Sequence, residues 1–94
     1  MALKKKWFSN TVVSSDGYSV SILNRSLALY EEKNKRIYVD VEMLAPKQAW
    51  ALSPNDMRVG SRRGKKLRDD ELRALIVSRM QEAFAFLGLS LEVD

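Results

Sequence analysis

Neither cysteine nor histidine occurs among the 94 residues. The missing cysteine removes any disulfide framework and fits a reducing compartment. Together the two absences exclude thiol nucleophiles and the usual zinc sites, and they remove the side chain most often used as a general base near neutral pH. Long apolar runs are missing too, since no stretch approaches the ~20 residues of a membrane-spanning helix. The start, Met1-Ala2-Leu3-Lys4-Lys5-Lys6-Trp7-Phe8, carries the positive charge of a signal-peptide n-region, but Ser9, Asn10 and Thr11 interrupt the apolar stretch that would have to follow. The expectation is a complete cytoplasmic protein without a membrane partner. No internal repeat, low-complexity tract or linker divides the chain, so residues 1–94 read as a single domain.

What is present is ordinary globular composition, 46% hydrophobic and 30% charged. A chain of this size buries roughly 60–65% of its unfolded surface, and its stability is expected at about 5–10 kcal/mol. The net charge of +4 is unevenly placed. Arg58, Arg62, Arg63, Lys65, Lys66 and Arg68 crowd one segment, Lys4 to Lys6 form a second basic group, and Asp69-Asp70-Glu71 form an acidic one.

Hydrophobic periodicity gives an α+β reading. Residues 7 to 14 suit a first strand, and Ser14-Ser15-Asp16-Gly17 a tight turn with glycine at positive φ. Tyr18, Val20 and Ile22 alternate with polar neighbours as a half-buried strand does. A third strand covers 26 to 31, and Glu32-Lys33-Asn34-Lys35 turns the chain. Ile37, Val39, Val41 and Met43 share one face of the clearest strand, while Tyr38, Asp40 and Glu42 share the other, until Pro46 stops it. Short extended pieces at 48–53 and 57–59 flank a turn at Pro54-Asn55-Asp56. Residues 69 to 87 predict one long amphipathic helix whose stripe is Leu72, Leu75, Ile76, Met80, Ala83, Phe84 and Leu87. Asp69 or Arg68 is its N-cap, and Gly88 is its C′ residue. Leu89, Leu91 and Val93 alternate as a short C-terminal strand. The expected architecture is an antiparallel or mixed sheet of about five or six short strands, with the helix packed on one face.

One helix covers one sheet face, which leaves Tyr38, Asp40 and Glu42 to water, to a partner or to a second copy in a homodimer. Asp40 and Glu42 point the same way, as a magnesium pair would, but no phosphate loop or third ligand accompanies them, so the spacing reads as a solvated face. Glu31-Glu32-Lys33 has the Glu-x-Lys spacing of a nuclease strand end without the matching upstream aspartate. Arg79 falls inside the helix arc that packs on the sheet, so its stem is expected on apolar surface with its head in solvent or on an acid. Val77 and Phe86 widen the apolar stripe, as a core edge or as an interface. The segment from Arg58 to Arg68 reads as a mobile glycine-containing loop whose Arg62, Arg63, Lys65 and Lys66 would attract an anionic partner. It lacks interleaved aromatics, and its glycine and lysine spacing is not that of a P-loop.

From residue 26 onward the order of features resembles a known family. A strand ending in Tyr30 is followed by a charged turn and a strand running into Val41-Glu42-Met43-Leu44. Then come short strands, a basic loop, Leu67-Arg68-Asp69-Asp70-Glu71-Leu72, and a helix ending in Ala83-Phe84-Ala85-Phe86-Leu87-Gly88 before a last strand. This is similar to the small bacterial immunity proteins of polymorphic-toxin systems, in particular predicted immunity family seventy-four. The resemblance implies a non-enzymatic cytoplasmic protein that neutralises a toxin domain by binding it, with no cofactor. The residues expected to meet a partner are Tyr38, Asp40, Glu42, Arg62, Arg63, Lys65 and Lys66. The alternative is a small nucleic-acid-binding protein that uses the basic loop at 58–68 together with the Lys4 to Lys6 arm.

Overall fold

A computed structural model describes residues 3–5, 10–44 and 49–93. Strands β1 (Leu3–Lys5), β2 (Thr11–Ser14), β3 (Tyr18–Asn24), β4 (Leu27–Glu32), β5 (Lys35–Met43) and β6 (Ala49–Val59) form an antiparallel meander. Helix α1 (Asp70–Phe86) then carries the chain over to β7 (Ser90–Val93), which lies parallel to β6. The class is α+β with a mixed sheet, one helix and a C-terminal strand, as periodicity predicted. The sheet is larger than expected, with seven strands rather than five or six.

The departures from the expected strands have physical origins. Leu3–Lys5 pairs with the far end of β2, and a three-residue edge bearing exposed Lys4 and Lys5 is a poor template for further pairing. Trp7, Phe8 and Ser9, expected to begin the first strand, lie outside the described residues, as do Lys6, Pro46 and Gln48. The break expected at Pro54 does not separate two strands. Val39 pairs with Met57 and Val41 with Leu52, so Ser53 to Asp56 bulge out opposite Asp40 alone. A proline, having no N–H to give, is tolerated at such a bulge, and β6 resumes on the other side.

The turns follow their sequence. Gly17 has φ of 91° and donates its N–H to the Ser14 carbonyl at 3.1 Å, while Ser14 Oγ accepts from the Asp16 N–H. Helix α1 begins at Asp69, whose carboxylate accepts the Leu72 N–H at 3.0 Å, so aspartate rather than arginine is the N-cap. At its end Gly88 takes φ of 79°, the Leu89 N–H reaches the Phe84 carbonyl and the Gly88 N–H the Ala85 carbonyl. This Schellman arrangement satisfies the terminal carbonyls and turns the chain into β7.

The core lies between α1 and the inner sheet face. Val12, Tyr18, Val20, Ala28, Tyr30, Ile37, Val39, Val41, Trp50, Leu52, Met57 and Leu91 come from the strands, and Ile76, Met80, Ala83 and Phe84 from the helix. Tyr18 stacks on Tyr30 with centroids 5.8 Å apart, and Trp50 meets Phe84 edge to face at 5.7 Å. The expected helix stripe is too wide. Leu75 is 41% exposed and Phe86 49%. At ~100° per residue both project about 100–120° from the centre of the buried row, so they leave the sheet although their spacing from Leu72 and Ile76 fits an apolar face. Val77 is half-buried against the core edge. Among the described residues, no helix is long and apolar enough to cross a membrane.

Candidate functional site

The outer sheet face and the segment after β6 form one surface. Tyr38 pairs with Arg58 across β5 and β6, and both side chains are half-buried on the outer face. Asp40 follows on the same face, exposed, where β6 has bulged away. Glu42 stands two residues further along, opposite Ala51, and Ala51 is opposite Glu92 of β7. One row further out, Glu31 pairs with Arg36 at 3.3 Å between two well-exposed side chains, an ion pair worth at most about 1 kcal/mol.

The basic segment is not the open loop that its glycines suggested. After Gly60 (φ 82°) the chain folds back along the end of β6. The Val59 N–H donates to Lys65, the Leu67 N–H to Met57, the Gly60 N–H to Arg36 and the Gly64 N–H to Ser61, all between 2.8 and 2.9 Å. Arg58 and Lys66 form an antiparallel bridge, and the Arg58 guanidinium reaches the Gly64 carbonyl at 3.5 Å. Gly64 is required by close approach, because a Cβ there would stand 1.9 Å from the Val59 carbonyl oxygen.

This fold-back brings two separately predicted groups together. Asp40, Arg58, Arg62 and Arg63 line one open depression of about 490 Å³. Lys65 is exposed, and Lys66 borders a different depression with Asn55, Arg68 and Arg73. Glu42 lies outside both. Its neighbour across Ala51 is Glu92, so the outer face runs from a guanidinium-rich end to a carboxylate-rich end along β5 and β6. Among the described residues no three acidic groups stand close enough together to hold a metal ion.

A second polar cluster ties the helix to the sheet. Arg79 donates to the Tyr30 hydroxyl at 2.6 Å and pairs with Glu32 at 3.3 Å. Tyr30 donates in turn to Glu32 at 2.9 Å, and the guanidinium carbon lies 4.5 Å above the Tyr18 ring centroid. Burial pushes the Tyr30 phenol up to about 12 and raises that of Tyr18 as well. The Tyr30 hydroxyl, with Arg79 beside it, holds the Glu32 carboxyl below its ordinary range. Of the two outcomes expected for Arg79, the geometry gives the acid rather than free solvent. Sequence reasoning missed the tyrosines, although a signal was there: an arginine within the packed arc needs an acid on an inward strand face, and Glu32 shares that face with Tyr30. In the Glu31-Glu32-Lys33 spacing, Glu31 pairs outward, Glu32 binds Arg79, and Lys33 sits in the turn at φ 54°.

Nothing matches this chain in comparisons with protein-family models, with curated proteins or with solved structures.

Proposed function

We propose that this chain is a non-enzymatic protein-binding module whose contact surface is the outer face of β5 and β6 with the folded-back basic segment. The observation that carries the reading is the convergence of Asp40, Arg58, Arg62 and Arg63 on one depression, with Tyr38 beside it and Glu42 beyond. Such a surface presents both charge signs at fixed positions around a half-buried tyrosine, and complementary sign patterns select protein partners and steer their encounter. A phosphate backbone fits it less well. Asp40 stands among the arginines, and Glu42 and Glu92 extend the repulsion along the same face. The resemblance to the immunity family supplies the kind of partner, a toxin domain neutralised by occlusion in the cytoplasm.

The test uses Arg62→Ala, Arg63→Ala, Lys65→Ala and Lys66→Ala combined. Should a toxin domain be encoded next to this chain's gene, co-expression with it should show protection by the wild type, and absence of protection would overturn the immunity reading. The four-fold variant should associate more slowly with a similar dissociation rate, as loss of rim charges does. Fluorescence anisotropy with a labelled duplex and a labelled single strand is the counter-test. Dissociation constants weaker than about 100 μM at 100 mM salt are expected, no tighter than generic non-specific binding. Micromolar binding with a steep salt dependence, flattened by about two to four units in the variant, would replace this reading with the nucleic-acid one.

A further inference from the structure

The outer row of β5 reads Arg36, Tyr38, Asp40, Glu42, two hydrogen-bond donors followed by two carboxylates. Successive outward residues on a strand stand about 7 Å apart, so the row spans about 20 Å. Arg36, Asp40 and Glu42 are exposed, and Tyr38 is half-buried. Among the described residues Asp40 and Glu42 form no ion pair, and Arg36 has the solvent-exposed one to Glu31. Reversed, the row is its own complement, because each donor of one strand falls on a carboxylate of the other. The neighbouring elements repeat the pattern. The folded-back segment with Arg62 and Arg63 and strand β7 with Glu92 flank β6 on the same side, at its opposite ends.

We propose that a second copy of this chain packs face to face on this row, with the two β5 strands antiparallel about a two-fold axis passing between Tyr38 and Asp40. The Tyr38 hydroxyl of one copy then donates to Asp40 of the other, and Arg36 pairs with Glu42. Each contact is made twice, as an isologous interface requires. Arg62 and Arg63 come over the Glu92 end of the other copy. A parallel arrangement would set carboxylate on carboxylate, so charge fixes the direction. A standard interface buries about 800 Å² per partner. Contacts centred on one strand give less, which makes this a weak, reversible dimer. The inference rests on the outer face as the contact surface proposed above and adds its regulation: self-association hides the surface that another protein would use.

The experiment is sedimentation velocity on the full chain alone, from about 5 to 200 μM at about 50 mM salt, where exposed charges are little screened. A monomer–dimer equilibrium with a dissociation constant of about 10–50 μM is expected. Arg36→Glu and Glu42→Arg each set like charges opposite one another and should each weaken the dimer about tenfold or more. Mixed one to one, or combined in one chain, they restore opposite charges across the axis. Both arrangements should return the affinity to within about threefold of wild type. Lys35→Glu carries the same net charge as Arg36→Glu but lies on the other face of β5, and should dimerise as wild type does. Tyr38→Phe keeps the ring, loses the hydroxyl and should weaken the dimer about fivefold. Monomer throughout the range, undiminished association of Arg36→Glu, no recovery in the mixture and the double variant, or species growing beyond the dimer would each overturn the proposal. The assay holds no other protein, so its failure leaves the partner reading standing, while failed protection in co-expression leaves the dimer standing.

Discussion

Replacing Phe84 by alanine tests the helix–sheet packing most directly. The side chain is fully buried, meets Trp50 edge to face, and sits between Ile76, Met80 and the inner face of the sheet. Truncation loses the transfer free energy of the ring, leaves a cavity between the helix and the sheet, and removes the aromatic contact. The expected cost is about 3–5 kcal/mol, a large part of the 5–10 kcal/mol that a domain of this size has. Near about 5 °C per kcal/mol, that lowers Tm by roughly 15–25 °C. Thermal unfolding followed by far-UV circular dichroism measures the shift, and the near-UV band of Trp50 should lose intensity before unfolding. Phe84→Leu leaves a smaller void and should cost about 1–2 kcal/mol, which grades the effect if the alanine variant is too unstable to handle. Leu75→Ala is the control. Spacing alone assigned it to the same stripe, yet at 41% exposed it should change stability by less than about 1 kcal/mol. A Tm drop below about 5 °C for Phe84→Ala, or equal drops for Phe84→Ala and Leu75→Ala, would refute the packing argument.

Other expectations follow from the same geometry. Gly64→Ala should destabilise by about 1–3 kcal/mol, because its Cβ meets the backbone of Val59 and not a flexible side chain. Gly60→Ala, strained only by its φ of 82°, should cost about 1 kcal/mol; urea midpoints of the two variants should therefore differ. Arg79→Met keeps the stem but strips Tyr30 and Glu32 of their cation, at a cost of about 1–2 kcal/mol for this partly solvated cluster; a neutral result would show that the cluster does not pin the helix. The pH dependence has two limbs. Tyr30 has its pKa raised to about 12, so its contribution is complete below about pH 10 and is lost as pH rises towards 12. Glu32 has its pKa lowered, so its contribution is complete above its ordinary value near 4.5 and fades as pH falls below it. Urea midpoints should therefore fall at both ends, and Tyr30→Phe should shrink the alkaline limb, leaving the part that the raised pKa of Tyr18 supplies. Sedimentation at micromolar concentration should show self-association, given the uncovered outer sheet face; one species of monomer mass up to about 100 μM would exclude a homodimer.

Elements whose causes are local were legible in the residues themselves. The Ser14–Gly17 turn, the aspartate cap, the glycine that ends α1, and the alternation of Ile37, Val39, Val41 and Met43 against Tyr38, Asp40 and Glu42 all depend on neighbours within a few residues. The helix bounds came within one residue of those expected. Features that depend on partners far along the chain emerged only from the packed fold. Periodicity cannot fix the width of a buried stripe, because that depends on the sheet the helix meets, and Leu75 was lost to solvent for that reason. Nor can it join Ala49–Val59 across Pro54, since the bulge exists only against the register of β5. The basic segment looked loose because glycine and charge do not encode a strand, yet pairing with the end of β6 supplies hydrogen bonds that the segment could not make alone. That pairing carries Arg62 and Arg63 to Asp40, which local sequence had placed on separate elements. The same holds for Arg79, whose partners Tyr30 and Glu32 lie some fifty residues earlier. A guanidinium in an apolar arc can be read from spacing, but only the packed sheet determines which carboxylate receives it.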